Sequence, residues 1–307
     1  MKNYINYYYH FYVTDIRLCR DKYFFSYNND NYMFCECTGI KPYINSIYKL
    51  SKQLNYYNRY YHEMVYNKDY LLVTTIQNKE YVMLKLSKVV DEKISIYDIK
   101  GKDYINVSKD FDLLLKFHWI DYWENKIDYF ENIIMTKKSE YYIYLDSFYY
   151  YVGLAENAVL YVKEAIANIE ENYSNDFVAS HRRFTTDMSL IDFYNPILLI
   201  IDHRSRDVAE FLKYSFLNND YDINTIREYL KKYNLTRLGA HLLFGRLLFP
   251  SFYFDCLEDI INGKKNNTIY MLETSIKNYN MFLNDIFEVL SSWFQMQEIS
   301  WLKIKKM

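Results

Sequence analysis

The sequence feature that most constrains the fold is a short apolar run, ILLIID at 197–202, which stands alone between long helical stretches. Its β-branched residues are typical of a buried strand. The run ends in an acid, Asp202. A carboxylate at the end of a buried strand is a suitable ligand for a metal ion, but it can equally pair with neighbouring arginines. A charged cluster follows at once and consists of His203, Arg204, Arg206 and Asp207.

The order of the predicted elements divides the chain into two lobes. Residues 1–100 are predicted to be mainly strands, with one helix at 42–54 and a hairpin at 70–87. Residues 101–307 are predicted to be mainly helical, interrupted only by an island at 177–207. A chain of 307 residues exceeds what one hydrophobic core usually serves. The predicted fold class is therefore α+β, with a small β-rich N-lobe and a larger helical C-lobe.

Local patterns place helix boundaries within the C-lobe. Asp207 with Glu210, and Thr225 with Glu228, have the spacing of a capping box. This spacing predicts helices that begin at Asp207 and at Thr225. The dipeptide at 195–196, Asn-Pro, predicts a turn or an extended link inside the island.

Composition argues against several classes of protein. A net charge of −2 is not that of a general nucleic-acid binder. The four cysteines form no zinc-binding pattern with histidines, and the N-terminus lacks the apolar centre of a signal peptide, so a reduced, cytoplasmic protein is expected. The longest apolar stretch, 238–254, contains His241 and Arg246. It predicts a buried helix rather than a membrane span.

The element order and the island resemble the protein-kinase-like fold, in its aminoglycoside-phosphotransferase branch, and within it the spore-coat kinase-like family of spore-forming Firmicutes. The motifs that carry this resemblance lie in residues 177–212. SHRRF stands where the branch has His-Gly-Asp, and LLIIDHRSRDVAEFL matches its strand-end acid and the helix after it. FDLLLKFH at 111–118 resembles the helix ending in His that precedes the catalytic loop. The spore-coat relatives carry His-Arg-Arg and Asp-His-x-Ser-Arg-Asp variants similar to these. The resemblance implies a bilobal kinase-like fold.

The departures from the kinase pattern bear on activity. Phosphoryl transfer needs an acid at the acceptor hydroxyl, metal ligands and a lysine on the phosphates. By the resemblance, the catalytic aspartate is replaced by Arg183, a permanent cation that cannot accept a proton. The metal-binding asparagine is replaced by Met188, although Asp187 is adjacent. The expected third strand, near YMFCEC, has no lysine, the helix at 42–54 has no glutamate, and no glycine lies in 13–27.

The sequence therefore favours a pseudokinase that acts by protein–protein contact in sporulation or coat assembly, without a cofactor. Its remnant motif consists of His181, Arg182, Arg183 and Asp202. In this interpretation Asp202 pairs with Arg204, Arg206 or Arg182, and the pairing keeps the loop in shape. Asp207 caps the next helix, and His181 supports the loop through hydrogen bonds.

Two alternatives remain open from the sequence. The first is an active ATP-dependent phosphotransferase with a remodelled site. Asp202 and Asp187 would hold Mg²⁺, and Arg182 or Arg183 would hold the phosphates, because guanidinium groups suit phosphate. The second is a regulator that binds a nucleotide or another anion without turnover.

Overall fold

The computed structural model describes residues 1–56, 60–87, 91–99, 109–184, 188–264 and 268–299. The chain divides into two compact units. The first contains Met1–Asp98, Phe177–Asp202 and, of the residues described between them, 109–116. The second contains Ile99, Phe117–Asp176 and the chain from His203 onward. The island at 177–207 was predicted to lie within the helical lobe, whereas Phe177–Asp202 groups with the sheet and the residues from His203 onward with the helices.

The first unit is built on a six-stranded antiparallel sheet in the order β1-β2-β3-β6-β4, with β5 also paired to β6. Three two-residue turns join successive strands, and both residues of each turn have positive φ, as type I′ hairpins require. The predicted hairpin at 70–87 is confirmed as β5 and β6. The strands are β1 Arg17–Cys19, β2 Lys22–Tyr27, β3 Asp30–Glu36, β4 Glu63–Val65, β5 Val73–Ile76 and β6 Lys79–Lys85.

Two helices belong to this unit's N-terminal part. Helix α1, Lys2–Tyr9, buries Ile5 and Tyr9 in a cluster with sheet residues such as Phe25 and Phe34. The prediction of mainly strands with one helix in residues 1–100 did not include α1, because burial of an i, i+4 pair outweighs the strand preference of a Tyr-rich segment. Helix α2, Ile44–Tyr56, agrees closely with the helix predicted at 42–54.

The island contributes a two-stranded sheet, β7 Phe177–His181 with β8 Leu199–His203. Between the strands lies a one-turn helix, α5 Leu190–Phe193. The Asn195 side chain accepts a hydrogen bond from the Ile197 N–H at 3.1 Å and so starts a 3₁₀ turn at Pro196, as the dipeptide predicted. All five residues of β8 are buried, the polar Asp202 and His203 included, and this burial explains why Leu199–Ile201 are apolar.

The second unit is helical. Helix α8, Arg237–Leu248, is buried on every side, because both α4, Leu145–Asn168, and α6, Ser205–Leu217, pack against it. The apolar stretch at 238–254 forms two helices, α8 and α9, separated at Pro250, and not one. Within the described ranges, no helix is long and apolar enough to cross a bilayer. The helices are α3 Trp119–Thr136, α4 Leu145–Asn168, α6 Ser205–Leu217, α7 Ile223–Tyr233, α8 Arg237–Leu248, α9 Ser251–Ile261 and α10 Thr268–Ser291.

The predicted helix starts were each two residues late. Helix α6 begins at Ser205, so Asp207 lies in its first turn and does not cap it. Helix α7 begins after Asp222, whose carboxylate accepts hydrogen bonds from the N–H groups of Asn224 and Thr225. In both cases the acid or hydroxyl of the apparent capping box sits inside the first turn, where a carboxylate still interacts favourably with the helix dipole.

The segment FDLLLKFH also departs from expectation. Lys109–Leu114 is a 3₁₀ helix, and His118 precedes α3 instead of ending a helix. The His118 side chain is exposed.

Candidate functional site

His181 is a structural support of the island. Its ring is 1% exposed, and Nε2–H donates to the Phe193 carbonyl at 2.8 Å. The ring also stacks on the Phe193 ring at 4.4 Å. These contacts fix α5 against β7.

The positions that the resemblance assigns to the catalytic aspartate and the metal-binding asparagine are occupied by an arginine and a methionine. Arg183 is exposed, and Met188 is 4% exposed within the core. The Arg182 N–H donates to the Leu198 carbonyl at 2.8 Å, and its guanidinium lies 5.4 Å from the centre of the Tyr43 ring. Asp187 lies outside the described residues. The loop therefore presents arginines where a kinase presents its acid.

Asp202, the strand-end acid, is 0% exposed. A magnesium ion usually keeps several water ligands in octahedral geometry, which needs space beside the carboxylate. The described part of the chain contains no group of three His, Cys, Asp or Glu residues arranged to hold a metal. Asp202 in this setting is a core residue of β8.

A lysine–carboxylate pair that the sequence analysis missed lies in the first unit. Lys22 on β2 faces Cys35 on β3 across the ladder, and its ammonium forms an ion pair with Asp192 of α5. Cys35 is 2% exposed, and burial raises the pKa of its thiol to about 12. The third strand lacks a lysine, as predicted, but the neighbouring strand supplies one. The signal was present, because the Asn-Asn turn at 28–29 fixes the register that places residue 22 opposite residue 35.

This pair borders a pocket of about 250 Å³ beside the β1–β2 turn. Both basic and acidic side chains line it, so an anion entering the pocket would compete with Asp192 for Lys22. The turn itself, Arg20 and Asp21, contains no glycine. The pocket is lined by Arg17, Cys19, Arg20, Lys22, Phe24, Asp91, Ser189, Ile191 and Asp192.

A buried histidine connects the sheet to the island within the first unit. His62 is 0% exposed, its Nε2–H donates to the Ile191 carbonyl at 2.9 Å, and its backbone N–H donates to the Tyr194 carbonyl at 2.9 Å. Its Nδ1 accepts from the Ser87 N–H at 3.3 Å. Burial lowers the pKa of His62 to about 4. The ring is therefore neutral in the folded protein at pH 7.

His62 predicts a loss of stability in mild acid. In the unfolded chain His62 takes up a proton near pH 6.5, whereas in the folded chain it does so only near pH 4. The unfolded state thus binds more protons between these values. The free energy of unfolding should fall by about 3 kcal/mol from this residue as pH drops through that window, with no further loss below it.

Urea unfolding of the wild type and His62→Gln at pH 7 and pH 4.5 tests this expectation. The variant should lose less stability on acidification than the wild type. Replacement of the exposed His118 with Gln is the matched control and should leave the pH dependence unchanged. An identical pH dependence in His62→Gln would show that the ring is not buried as a neutral group.

In the second unit, Arg204 pairs with an acid that the sequence analysis did not consider. Its guanidinium donates to the carbonyls of Tyr233 at 2.6 Å and Asn234 at 3.3 Å, and it lies 3.6 Å from the Asp176 carboxylate. The predicted pairing with Asp202 is thus replaced by pairing with Asp176. The two residues are 28 positions apart, so no local spacing could have indicated the pair.

Asp176 also interacts with the ring of His203, whose Nε2 lies 3.7 Å from Oδ2. Burial alone would raise the pKa of Asp176, but His203 and Arg204 outweigh burial and lower it. The carboxylate is therefore ionised and holds the start of the segment that leads into α6. This supports a structural role for Arg204.

Arg206 lies near a group of charged side chains formed by Glu210, Lys213 and Arg246, and its charge acts on the Glu210 carboxylate. Glu210 accepts a hydrogen bond from the Lys213 ammonium at 3.0 Å, and Arg246 lies 4.0 Å from the same carboxylate. Burial would raise the pKa of Glu210, but Lys213, Arg206 and Arg246 together lower it. The Arg246 guanidinium also stacks over Trp119 at 3.4 Å. These contacts hold the Arg246 side chain between Trp119 and Glu210, so we assign them a role in stability.

The comparison with known protein families bears directly on this chain. A family model described as spore coat putative kinase YutH matches residues 2–292. The chain belongs to this family. Endospore coat-associated protein YutH of Bacillus subtilis (strain 168) is 28% identical over 208 residues, which cover 60% of this chain and 61% of that protein. The match thus spans under two thirds of the curated relative.

Solved structures similar to this YutH-family chain are phosphotransferases. An aminoglycoside phosphotransferase from Alicyclobacillus acidocaldarius has a TM-score of 0.67 at 8% identity, with 91% of this chain and 93% of that one covered. Spectinomycin phosphotransferase APH(9)-Ia, in complex with ADP and spectinomycin, has a TM-score of 0.58 at 11% identity, with 94% and 97% covered. At these identities the likeness shows the fold alone, and the predicted kinase-like fold is confirmed.

Proposed function

We propose that this protein is a non-catalytic, kinase-like component of spore-coat assembly that acts through contacts with other coat proteins. Neither ATP nor a metal ion is needed for this role. Localisation at the developing coat is part of the proposal and is supported by the coat association of the B. subtilis relative. The family membership and the fold are compatible with it, but a fold by itself assigns no activity.

The observation that carries the proposal is the Lys22–Asp192 ion pair. Phosphoryl transfer relies on a lysine that neutralises phosphate charge and on an acid that positions the acceptor hydroxyl. Here β3 has no lysine, and the ammonium of Lys22 on the neighbouring β2 forms an ion pair with Asp192 of α5. The acid position holds the exposed Arg183, and the strand-end acid Asp202 is fully buried. Removing one such group typically lowers the reaction rate by a factor of about 10² to 10⁴.

A direct test measures release of γ-phosphate from ATP with Mg²⁺ or Mn²⁺ over long incubations. We expect release no faster than in a matched preparation of Asp202→Asn, because a carboxylate without solvent access cannot hold the metal of the reaction. Release by the wild type that Asp202→Asn abolishes would favour the remodelled phosphotransferase and overturn the proposal.

A second test concerns the role in the cell. A fluorescent fusion is followed in sporulating cells whose own copy is deleted, in wild-type form and as Lys22→Met. If the protein acts by contact, both should be recruited to the forespore surface alike, since the ammonium serves no reaction. Loss of recruitment by a Lys22→Met protein with unchanged thermal stability would contradict the proposal.

A further inference from the structure

The sheet of the first unit has an unprotected edge. β1 is the outermost strand, and it pairs with β2 over three residues only. The preceding segment, Thr14–Ile16, makes no backbone hydrogen bond within the described chain. Edge strands are commonly guarded by short length, by charged side chains and especially lysine, by proline or by a bulge. Residues 14–19, TDIRLC, contain neither lysine nor proline.

On β1, the backbone N–H and C=O groups that do not bond to β2 point away from the sheet. Cys19 and Lys22 flank the two-residue turn and form a hydrogen-bonded pair, as do Arg17 and Phe24. Leu18 lies between them, so its N–H and C=O face away from β2. By the same alternation Ile16 also faces outward. The Leu18 side chain is 59% exposed, so the outer edge is open to a partner.

The segment before β1 separates from the sheet, since the pocket along it is also lined by Phe25 of β2 and Tyr32 of β3. A pocket of about 510 Å³ runs along Thr14, Asp15, Ile16 and Arg17 where the chain diverges from β2. The pocket next to Lys22 lies at the other end of β1. Among the described strands, only β2 pairs with β1.

The charges on the edge are self-complementary. Asp15 and Arg17 are both exposed and lie one residue either side of Ile16. In an antiparallel pairing of two copies centred on Ile16, Asp15 of each copy stands opposite Arg17 of the other. Opposite charges in directly facing positions stabilise a strand pair, and like charges destabilise it. The arrangement therefore selects a second copy of the same chain.

We propose that this edge, Thr14–Leu18, is a homodimer contact in which two copies pair antiparallel about Ile16. The two sheets then continue into one another across the two-fold axis. Thr14 of one copy pairs with Leu18 of the other, and two symmetry-related Asp15–Arg17 ion pairs flank the centre. Five residues a side make a small interface, so the dimer is expected to be weak, with a dissociation constant on the order of 10 μM.

The test is sedimentation equilibrium over concentrations that bracket this value. Asp15→Arg and Arg17→Asp each place like charges opposite one another twice per dimer, and each should weaken association about tenfold or more. The double variant Asp15→Arg/Arg17→Asp restores opposite charges and should dimerise like the wild type. Lys85→Ala, which removes a surface ion pair with Asp30 elsewhere on the sheet, is the control and should have no effect.

Mixing gives a result that misfolding cannot imitate. Asp15→Arg protein and Arg17→Asp protein, each largely monomeric alone, should form a heterodimer when combined, because their edges are then complementary. A wild type that stays monomeric at all concentrations overturns the proposal. So does a dimer that is unaffected by the single reversals, or single variants that do not associate on mixing. The outcome is independent of whether the protein transfers phosphate.

Discussion

Glu210→Gln is expected to destabilise the second unit by about 3 kcal/mol. Glu210 is the carboxylate shared by Lys213 and Arg246, whose side chains are 3% and 5% exposed. Removing its charge leaves two buried cations without their counter-charge, and breaking a buried pair from one side is costly for that reason. Chemical denaturation followed by far-ultraviolet circular dichroism measures the effect, because this unit is helical.

The matched double variant separates charge from packing. Glu210→Gln/Lys213→Met removes both charges of the pair and should recover part of the loss. Lys126→Ala, which breaks an ion pair with Asp255 on the surface, should change stability by less than about 1 kcal/mol. If Glu210→Gln is no more harmful than Lys126→Ala, the network is solvated and the burial argument fails.

Gly245→Ala should lower the free energy of unfolding by about 2 kcal/mol. A Cβ on residue 245 of α8 would overlap Cγ2 of Val162 on α4, and Val162 is 0% exposed. A β-branched side chain in a helix has little rotamer freedom, so Val162 cannot turn aside and the helices must separate. Thermal or urea unfolding measures the change.

Two further variants isolate the clash. Gly245→Ala/Val162→Ala removes the overlapping methyl groups and should be more stable than Gly245→Ala with Val162 intact. Gly153→Ala in α4 adds a methyl where no atom lies within 4 Å, so it should be neutral or slightly stabilising through helix propensity. A Gly245→Ala protein as stable as Gly153→Ala would mean that the helices do not approach each other this closely.

The fold could be predicted from the sequence because its strongest signals are periodic. The strand at 197–202, the hairpin at 70–87 and the helix at 42–54 each bury one regular pattern of residues, and the structure contains all three. Helix α1 was missed because Tyr is a strand-favouring residue and only two positions of the helix are buried. Helix starts were misplaced because Asp207 and Thr225 satisfy the capping pattern from within the first turn.

The candidate site was less predictable because its contacts are distant in sequence. Lys22 and Asp192 are separated by 170 residues, and Arg204 meets Asp176 through the fold and not through a motif. The lysine was expected on the third strand, β3, whereas the fold supplies Lys22 from the neighbouring β2. The arginines at 182 and 183 were read from the sequence directly, since the replacement of an acid by a permanent cation is visible without a structure.

The division of the first unit among three stretches of chain has a consequence for synthesis on the ribosome. The sheet is complete by residue 85, yet His62 obtains its partners Ile191 and Tyr194, and Lys22 its partner Asp192, only when the chain has grown past residue 194. In a nascent chain stopped near residue 100, His62 has its Ser87 contact but lacks those with Ile191 and Tyr194, and Lys22 lacks Asp192. Folding of this unit must wait while the stretch Phe117–Asp176, about 60 residues that include α3 and α4, emerges between its parts. The growing chain is therefore a substrate for chaperones and proteases during that interval.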